Sequence, residues 1–568
     1  LQLLLAAPVS MTVSRPLLRL LGIAVTICMV TCQSISHDEM SALFELFTST
    51  SGDSWLWQDE AAAGPRWNFT AIKGVHDNPC SSVKQVNQAW QGVTCSQPPS
   101  VCATEVCGII GLELPSYHLR GVIPLAIGNL TSLSTLYLQH NSLSGSIPSE
   151  IGLLTALKRL SFYTNVLTGC IPSAIGQLQS LVYLELDTNL LSGSLPNELY
   201  KLSSLVGLAI GNSYISGTIS DEIGSITSLQ VLSFYDSSID GRIPSSIGNL
   251  TAMKYIALYG NSLSSSIPET ISTMSTINRV YFDDNLLTGT IPNVMCDLTT
   301  LRRIELSVNN LSGMIPPCVG RLLNLQRLQL HINWISGTLP SDIGLLTNLE
   351  IITLDNNLLS GTFPAEIGYL TSVELLYLLT NQLTGTIPPS LGNLSSLSVI
   401  HMSTNDLTGG IPDSLSRLTT VEIMYLSRNI LTGTIPSSIS NLVNIERFSL
   451  GANALSGAVP NSLGFLMHIE DLWLNDNRLS GSLPSMISMP GLTKLRNIFL
   501  QNNAFTGSAE VMLNSSSHRE VSTLDISNNL LSGSLPTHLL RLPELKVLAL
   551  SGMDFLRQPI EVMSIDII

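Results

Sequence analysis

The stretch VELLYLLTNQLTGTIPPSLGNLSS, residues 373–396, carries the pattern that the rest of the chain repeats. Within it Val373, Leu376, Leu378, Leu383, Ile387, Leu391 and Leu394 are apolar at fixed offsets, and Asn381, Gly385, Pro388 and Gly392 punctuate them. The position of Asn381 recurs in unbroken steps of 24 from Tyr117 to Asn477, which is 16 registers. Two steps of 26 then reach Asn503 and Asn529, and a last step of 24 ends on Met553. So short a period predicts one continuous core, each repeat burying its apolar face against the next, in place of several separate domains.

Composition agrees with this and excludes some function classes. Of the 568 residues 44% are hydrophobic, 12% charged and 5% aromatic, as expected for a leucine-built stack with a Ser/Thr/Asn surface. The net charge of −15 argues against general nucleic-acid binding, which needs a basic footprint.

Leu376-Tyr377-Leu378 alternates inward and outward, which predicts a short strand with one buried face. Strands from successive repeats, placed side by side, would form a parallel sheet advancing ~4.8 Å per step, or about 90 Å over roughly 19 registers. Asn381 and its equivalents stand where the chain leaves the strand, and their amides are expected to satisfy backbone groups there. The second half of the repeat, L-x-G-x-I-P, resembles the plant-type leucine-rich repeat over about residues 109–553. That resemblance implies an α/β solenoid of about 18–19 repeats, wound into a right-handed superhelix with a continuous concave parallel β-sheet and a second short strand in each repeat. Departures stand out. Ser213 and Ser237 replace Asn, Ser220 replaces Pro and Ser265 replaces Gly, so residues 210–240 are expected to be looser or differently curved. The extra residues around Met486–Lys494 and before Val521 are expected to bulge from the convex side or edge.

Arg15 and Arg19, the apolar run Leu20–Val30 and the polar QSISHDE together read as a secretory signal ending near residue 34, with residues 1–10 upstream of it. A retained N-terminal anchor is the alternative, but the run is short of the ~20 apolar residues of a spanning helix. From His37, Met40, Leu43, Phe44, Leu46 and Phe47 lie at helical spacing, with Gly52 as the stop. Trp55, Trp57, Trp67, Cys80, the run AWQGVTC, Cys102 and Cys107 follow, so residues 35–108 read as a cap over the first repeat, followed by a solenoid over 109–553. WQGVTC resembles the N-terminal cap of plant-type leucine-rich-repeat ectodomains, and ALFELFTSTSGDSW is similar to caps in related protist and algal proteins. The resemblance implies a Cys80–Cys95 bridge, although Cys80 stands ten residues before Trp90, farther than in the plant cap, and Cys102–Cys107 as the other. A metal site would be the alternative use of these cysteines; their spacings lack the repeated C-x-x-C of zinc sites. The run CDLTTLRRIELSVNNLSGMIPPC resembles a cysteine pair of plant receptor-like proteins and implies a Cys296–Cys318 disulfide, while Cys170, without an evident partner, is expected to be a buried free thiol. N-x-S/T sequons at Asn68, Asn129, Asn249, Asn310, Asn393 and Asn514 fit export and glycosylation. The tail, residues 554–568, loses the pattern without a cap and reads as the cut end of a longer chain. Membrane association would then come only through a missing C-terminal segment or a retained N-terminal anchor.

Catalytic machinery is not apparent. His140, His331 and His401 fall several repeats apart, and G-x-S-x-G, H-E-x-x-H and phosphate-loop motifs are absent. The expectation is a non-enzyme without cofactor or metal. Asp283 and Glu305 could approach as a carboxylate pair, but Arg279 and Arg303 beside them favour an ion network.

The outward strand positions read as columns. Two places before the Asn come Tyr163, Tyr235, Tyr259 and His331; four places before it come Tyr281, Tyr377, Tyr425 and Trp473. Exposed aromatics on a rigid sheet suit binding anchors, although tyrosine is also simply a good strand residue. Six places before the Asn, Arg279, Arg303 and Arg327 stack in consecutive repeats, where like charges repel unless acids or an anionic ligand neutralise them. An edge column of Glu350, Glu374, Glu422, Glu446 and Glu470 follows, so the face is expected to run from basic to acidic. These features, with the resemblance, predict a secreted or cell-surface recognition module, receptor-like, taking a protein, peptide or glycan ligand on its concave face, with a co-receptor as a further expected partner. The alternatives are a hydrolase inhibitor, implied by resemblance to polygalacturonase-inhibiting proteins, and a wall or adhesion protein.

Overall fold

The computed structural model describes residues 36–58, 66–67, 69, 79–80, 90–97, 107–483, 492–508, 513, 518–532, 539, 541–552 and 566–567. The expected signal, Asn68, Cys102, Asn514, the insertion at 486–491 and nearly all of the tail lie outside them. Strand Leu375–Tyr377 pairs in parallel with Ile351–Thr353 on one side and Val399–His401 on the other, each residue opposite the one 24 positions away. Repeated along the chain, this builds a 21-stranded sheet. It opens with Val93–Cys95 antiparallel to Ile109–Glu113, and it is parallel from there to Asp566–Ile567. Leu376 and Leu378 are buried beneath it, so Leu375 and Tyr377 face outward. The expected second strand is present, for example Gln382–Thr386, in sheets of 12, 4 and 2 strands.

The convex side is made of five-residue 3-10 turns such as Pro389–Asn393, each entered from a cap residue that is usually proline. Pro388 holds φ at −69°, the value its ring imposes, and so starts the turn at little entropic cost. Gly392 is required by close approach: a Cβ there would lie 2.1 Å from the Ser414 carbonyl oxygen of the next turn. Among the described residues, no helix is long and apolar enough to cross a membrane.

Between the two strands runs a ladder of asparagines. Asn381 Oδ1 accepts the Leu359 N–H at 2.9 Å, and its Nδ2 donates to the carbonyls of Leu354 at 3.0 Å and Leu378 at 3.2 Å. Each amide thus binds three segments in two repeats. The residue just before each Asn adopts the left-handed region, as Thr380 does with φ +52°, which the repeat pattern alone did not reveal. Val308 and Ile332 occupy that position with φ +54°, where β-branching is strained. Ile332 is exposed, so Ile332→Asn relieves the strain without emptying the core. It is expected to stabilise the protein by about 1 kcal/mol, read as a rise in the urea midpoint at constant slope.

At Ser213 and Ser237 the ladder thins. Their hydroxyls meet at 3.2 Å and Ser213 Oγ takes the Ile215 N–H at 3.4 Å, but strand register is unchanged from Gly207–Ala209 through Val231–Ser233 to Tyr255–Ala257. Ser265 takes the left-handed φ of +69° that glycine serves elsewhere.

In the cap, Ser36 and Glu39 form a capping box that starts helix His37–Ser49. Thr50 makes the last helical bond, its N–H on the Leu46 carbonyl at 3.1 Å with its hydroxyl on the same oxygen at 2.6 Å, and the helix ends because Ser51 turns into the left-handed region with φ +57°. Glu39 also accepts the Ile109 N–H at 3.1 Å, tying the cap to the first parallel strand. Trp55, Trp67 and Trp90 are buried, and Trp67 donates to the Gln91 carbonyl at 2.8 Å. Cys80–Cys95 and Cys296–Cys318 are bonded, each with Cα atoms 5.8 Å apart. Cys107 is disulfide-bonded, and the expected partner, Cys102, lies outside the described residues. Cys170 is exposed, not buried. It follows Gly169 at the outer end of the second strand, where the flanking repeats carry Ser146 and Ser194.

Candidate ligand-binding face

Because Leu and Ile at alternate strand positions are locked inward, the columns expected from the sequence do line the concave sheet. Tyr163, Tyr235, Tyr259, Arg279, Tyr281, Arg303, Arg327, His331, Tyr377, Tyr425 and Trp473 are all half-buried there. They do not form one site but three neighbourhoods.

Toward the N-terminal side, Tyr235 stacks on Tyr259 with centroids 5.1 Å apart, and Tyr255 packs against Tyr281 at 5.4 Å. Gly211 makes room for this: a Cβ there would lie 2.3 Å from the Tyr235 ring. The Tyr235 hydroxyl reaches Asp187 at 3.4 Å, and burial pushes the Asp187 carboxyl up to about 6. Tyr163 stands apart, edge-on to His140 at 4.7 Å, and Arg159 lies 4.9 Å over the Tyr183 ring.

In the middle, Arg279, Arg303 and Arg327 are direct register partners on three adjacent strands. The expected ion network is not formed. Among the described residues the ion pairs are Arg242–Asp221, Arg321–Asp297, Arg447–Asp471 and Arg496 with Glu470 and Glu520, and none includes these three arginines. The acids sit farther along the strands, Glu305 two places and Asp283 four places beyond the arginine column. Arg303 instead donates to the Tyr281 hydroxyl at 3.5 Å, and Arg327 Nε and Asp283 Oδ1 are buried without a hydrogen-bond partner. Burial pushes the Glu305 carboxyl up to about 7, helped by the Asp283 charge and opposed by Arg327 and Arg303. Asp283 rises to about 6, again chiefly by burial, with its own backbone amide opposing and Asp284 and Asp236 adding to the rise.

Farther on, an aromatic ladder runs along the sheet. Tyr377 meets His401 at 6.2 Å, His401 meets Tyr425 at 4.9 Å, Tyr425 meets Trp473 at 5.8 Å, and Trp473 lies parallel to Phe499 at 6.1 Å. Tyr425 reaches Trp473 across an intervening strand because that strand offers only the short, buried Ser449. His331 is not part of this ladder; its Nδ1 is held by Ser307 at 2.7 Å and Thr353 at 3.1 Å. His401 and Phe499 were missed in the sequence. The first was weighed as an isolated histidine, and the second follows the change of step from 24 to 26. Both stand in the column four places before the Asn, His401 before Asn405 and Phe499 before Asn503.

The acidic column is less uniform than expected. Gln326 donates to Glu350 at 3.3 Å, Arg496 pairs with Glu470 at 3.0 Å, and Arg447 sits 3.5 Å from Asp471. The basic-to-acidic gradient is therefore broken at its acidic end. No cluster of three or more His, Cys, Asp or Glu among the described residues has the geometry of a metal site.

The leucine-rich-repeat family model matches residues 132–154, 372–394, 396–418, 420–442 and 520–542. The plant peptide hormone receptor RGFR1, solved in complex with RGF2, is 34% identical to this chain, covers 82% of it and is covered over 80% of its own length, with a TM-score of 0.74. The chain belongs to the plant-type extracellular leucine-rich-repeat family. Another leucine-rich-repeat structure, the Arabidopsis receptor kinase HAESA in complex with the peptide hormone IDA and the co-receptor SERK1, is 27% identical over 92% of this chain and 90% of that one, with a TM-score of 0.72. A Leptospira interrogans leucine-rich-repeat protein, LIC12759, is 30% identical over 65% of this chain and 90% of its own, with a TM-score of 0.53.

On this leucine-rich-repeat face the raised acids make stability depend on pH. Both Asp283 and Glu305 hold their protons more tightly in the folded state than in the unfolded chain. Their stabilising contribution is therefore full below the ordinary carboxylate range and is lost as pH rises through about 6 and about 7. Thermal midpoints are expected to fall from pH 5 to pH 8 on this account. The combined Asp283→Asn and Glu305→Gln variant should show a smaller fall in calorimetry across the same range.

Proposed function

We propose that the chain is an extracellular recognition module that binds a peptide along its concave face, in a receptor-like role completed by a co-receptor. The observation that carries this reading is the column of three arginines without carboxylate partners, lying between two aromatic neighbourhoods on one rigid sheet. Arginines without acid partners suit an anionic group of the ligand, and the ladder from Tyr377 to Phe499 supplies ring surface for its apolar side chains. RGFR1 and HAESA, both solved with peptide hormones, support a peptide over a glycan, and SERK1 in the HAESA complex supports a co-receptor. Export to the cell surface fits the signal-like residues 1–34 and the sequons. The protein acts by binding, without catalysis of its own.

A synthetic library of extended peptides, varied in net charge and aromatic content, tests this by retention on immobilised protein. Anionic peptides with apolar side chains are expected to bind saturably. The variant with Tyr377→Ala, Tyr425→Ala and Trp473→Ala is expected to lose about 30-fold or more in affinity, since one buried aromatic anchor alone carries ~2 kcal/mol or more. Non-saturable retention, or equal binding by this variant, would sink the peptide reading. Inhibition of a secreted polygalacturonase in place of peptide retention would favour the hydrolase-inhibitor alternative.

A further inference from the structure

We propose that Asn310 carries an N-linked glycan whose first sugars lie on the indole of Trp334 and shelter an apolar stripe on the flank of the solenoid. The proposal rests on the export reading above. The residue after each ladder asparagine begins the second strand and faces sideways, away from the concave sheet. In this column Leu286 is 51% exposed and Trp334 is 59% exposed, while Asn310 stands between them in the intervening repeat. Met314, 56% exposed, lies on the same side of the Asn310 strand. Trp334 stands opposite Ser312 and diagonal to Met314, with Leu286 on the far side of Asn310, and a bare tryptophan in such a stripe is costly in water and invites association.

The backbone register places the sequon against this stripe. Ser312, the hydroxyl residue of Asn310-Leu311-Ser312, is the direct strand partner of Trp334. Leu311 is fully buried, so Asn310 and Ser312 flank it on the outward side, together with Trp334. Asn310 is then one strand over and two residues along from Trp334, about 8 Å between Cα atoms by strand spacing and rise, a diagonal that long side chains and a sugar ring can span. The other described sequons differ. Asn129, Asn249 and Asn393 each end a convex 3-10 turn, so their glycans would project from the convex side. A pyranose ring has an apolar C–H face that suits an aromatic plane, while its hydroxyls stay in water. The covalent link at Asn310 supplies the effective concentration that holds the two together.

The test uses the exported chain from a eukaryotic secretory host. Glycopeptide mass spectrometry is expected to find Asn310 occupied. Trimming with an endoglycosidase to the first sugar should leave Trp334 sheltered, and Asn310→Gln or Ser312→Ala should expose it. That exposure reads as a red shift of tryptophan emission and stronger quenching by acrylamide, both absent when the same changes are made on Trp334→Phe. Occupied Asn129, Asn249 or Asn393 with bare Asn310 would overturn the proposal while leaving export intact. Bare sequons throughout on the secreted chain would overturn the proposal, and failure of the host to secrete the chain would overturn the export reading with it. Full occupancy at Asn310 with no Trp334-dependent change in emission or quenching would also overturn it, because the sugar would then be pointing away.

Discussion

Asn357→Leu is expected to lose about 2–4 kcal/mol of stability. Asn357 is 6% exposed, and its Oδ1 accepts the Ile335 N–H at 2.9 Å while its Nδ2 donates to the carbonyls of Leu330 at 3.0 Å, Leu354 at 3.2 Å and Asp355 at 3.2 Å. Leucine has similar volume and fills the same space, so packing is nearly conserved. The backbone groups are not so served. The Ile335 N–H is left without an acceptor, at ~1–3 kcal/mol, and the Leu330, Leu354 and Asp355 carbonyls keep only Asn333, Asn381 and the Ile332 N–H as donors, which adds about 1 kcal/mol. Since each repeat is stabilised mainly by its neighbours, the damage should be local: faster hydrogen exchange at Ile335 and nearby strands, with distant repeats still protected. Asn357→Ser should lose less, because the chain already tolerates Ser213 and Ser237 at this register by pairing their hydroxyls. A loss below about 1 kcal/mol for Asn357→Leu, measured by urea unfolding, would show that the asparagine ladder shapes the turn without stabilising it.

Reversal of the central arginines, Arg303→Glu with Arg327→Glu, is expected to weaken binding of an anionic peptide by about 100-fold or more. Charge pairs desolvated in an interface couple by roughly 2 kcal/mol or more, and reversal converts attraction to repulsion. Two features make these arginines the sensitive point. They stack as direct register partners without carboxylates in ion-pair range, and Arg327 Nε has no hydrogen-bond partner in the protein. Folding should survive, because both side chains face outward from the sheet, one like-charge pair is exchanged for another, and Arg279 gains an acid opposite it. The control is Arg321→Glu, which breaks the exposed ion pair with Asp297 on the convex side and should leave binding unchanged. Wild-type affinity should also fall with added salt, and the double variant should lose that dependence. Equal peptide affinity in the double variant and the wild type would remove the arginine column from the binding site.

Much of the architecture was legible in the sequence because the repeat is redundant. Leu376, Leu378 and Asn381 are copied so many times that alternation alone predicts the strand, its buried face and its partners 24 residues away. The two disulfides at Cys80–Cys95 and Cys296–Cys318 were likewise implied by motif resemblance and are formed. Local geometry was less legible. The left-handed residue before each asparagine is occupied by Thr380, Val308, Arg428 and Asp476 alike, so no residue type marked it; backbone bonds to the next repeat hold it, as the Thr380 and Asn381 N–H groups do on the Ser403 and Thr404 carbonyls. Helix His37–Ser49 ended before the glycine that marked its stop, because Ser51 takes the left-handed conformation one residue earlier.

By itself, the sequence determined the period, the core and which side chains reach the concave face, since those follow from alternation and burial, which are properties of the chain taken one repeat at a time. Only the tertiary structure decided what those side chains do to one another. Whether Arg303 finds an acid across the sheet depends on its register partners, and these are Arg279 and Arg327, with the Tyr281 hydroxyl as the group it reaches. Whether Tyr425 touches Trp473 depends on the size of Ser449 between them. Interactions between repeats depend on distances of a few ångströms across the sheet, and a one-dimensional pattern carries order but not those distances.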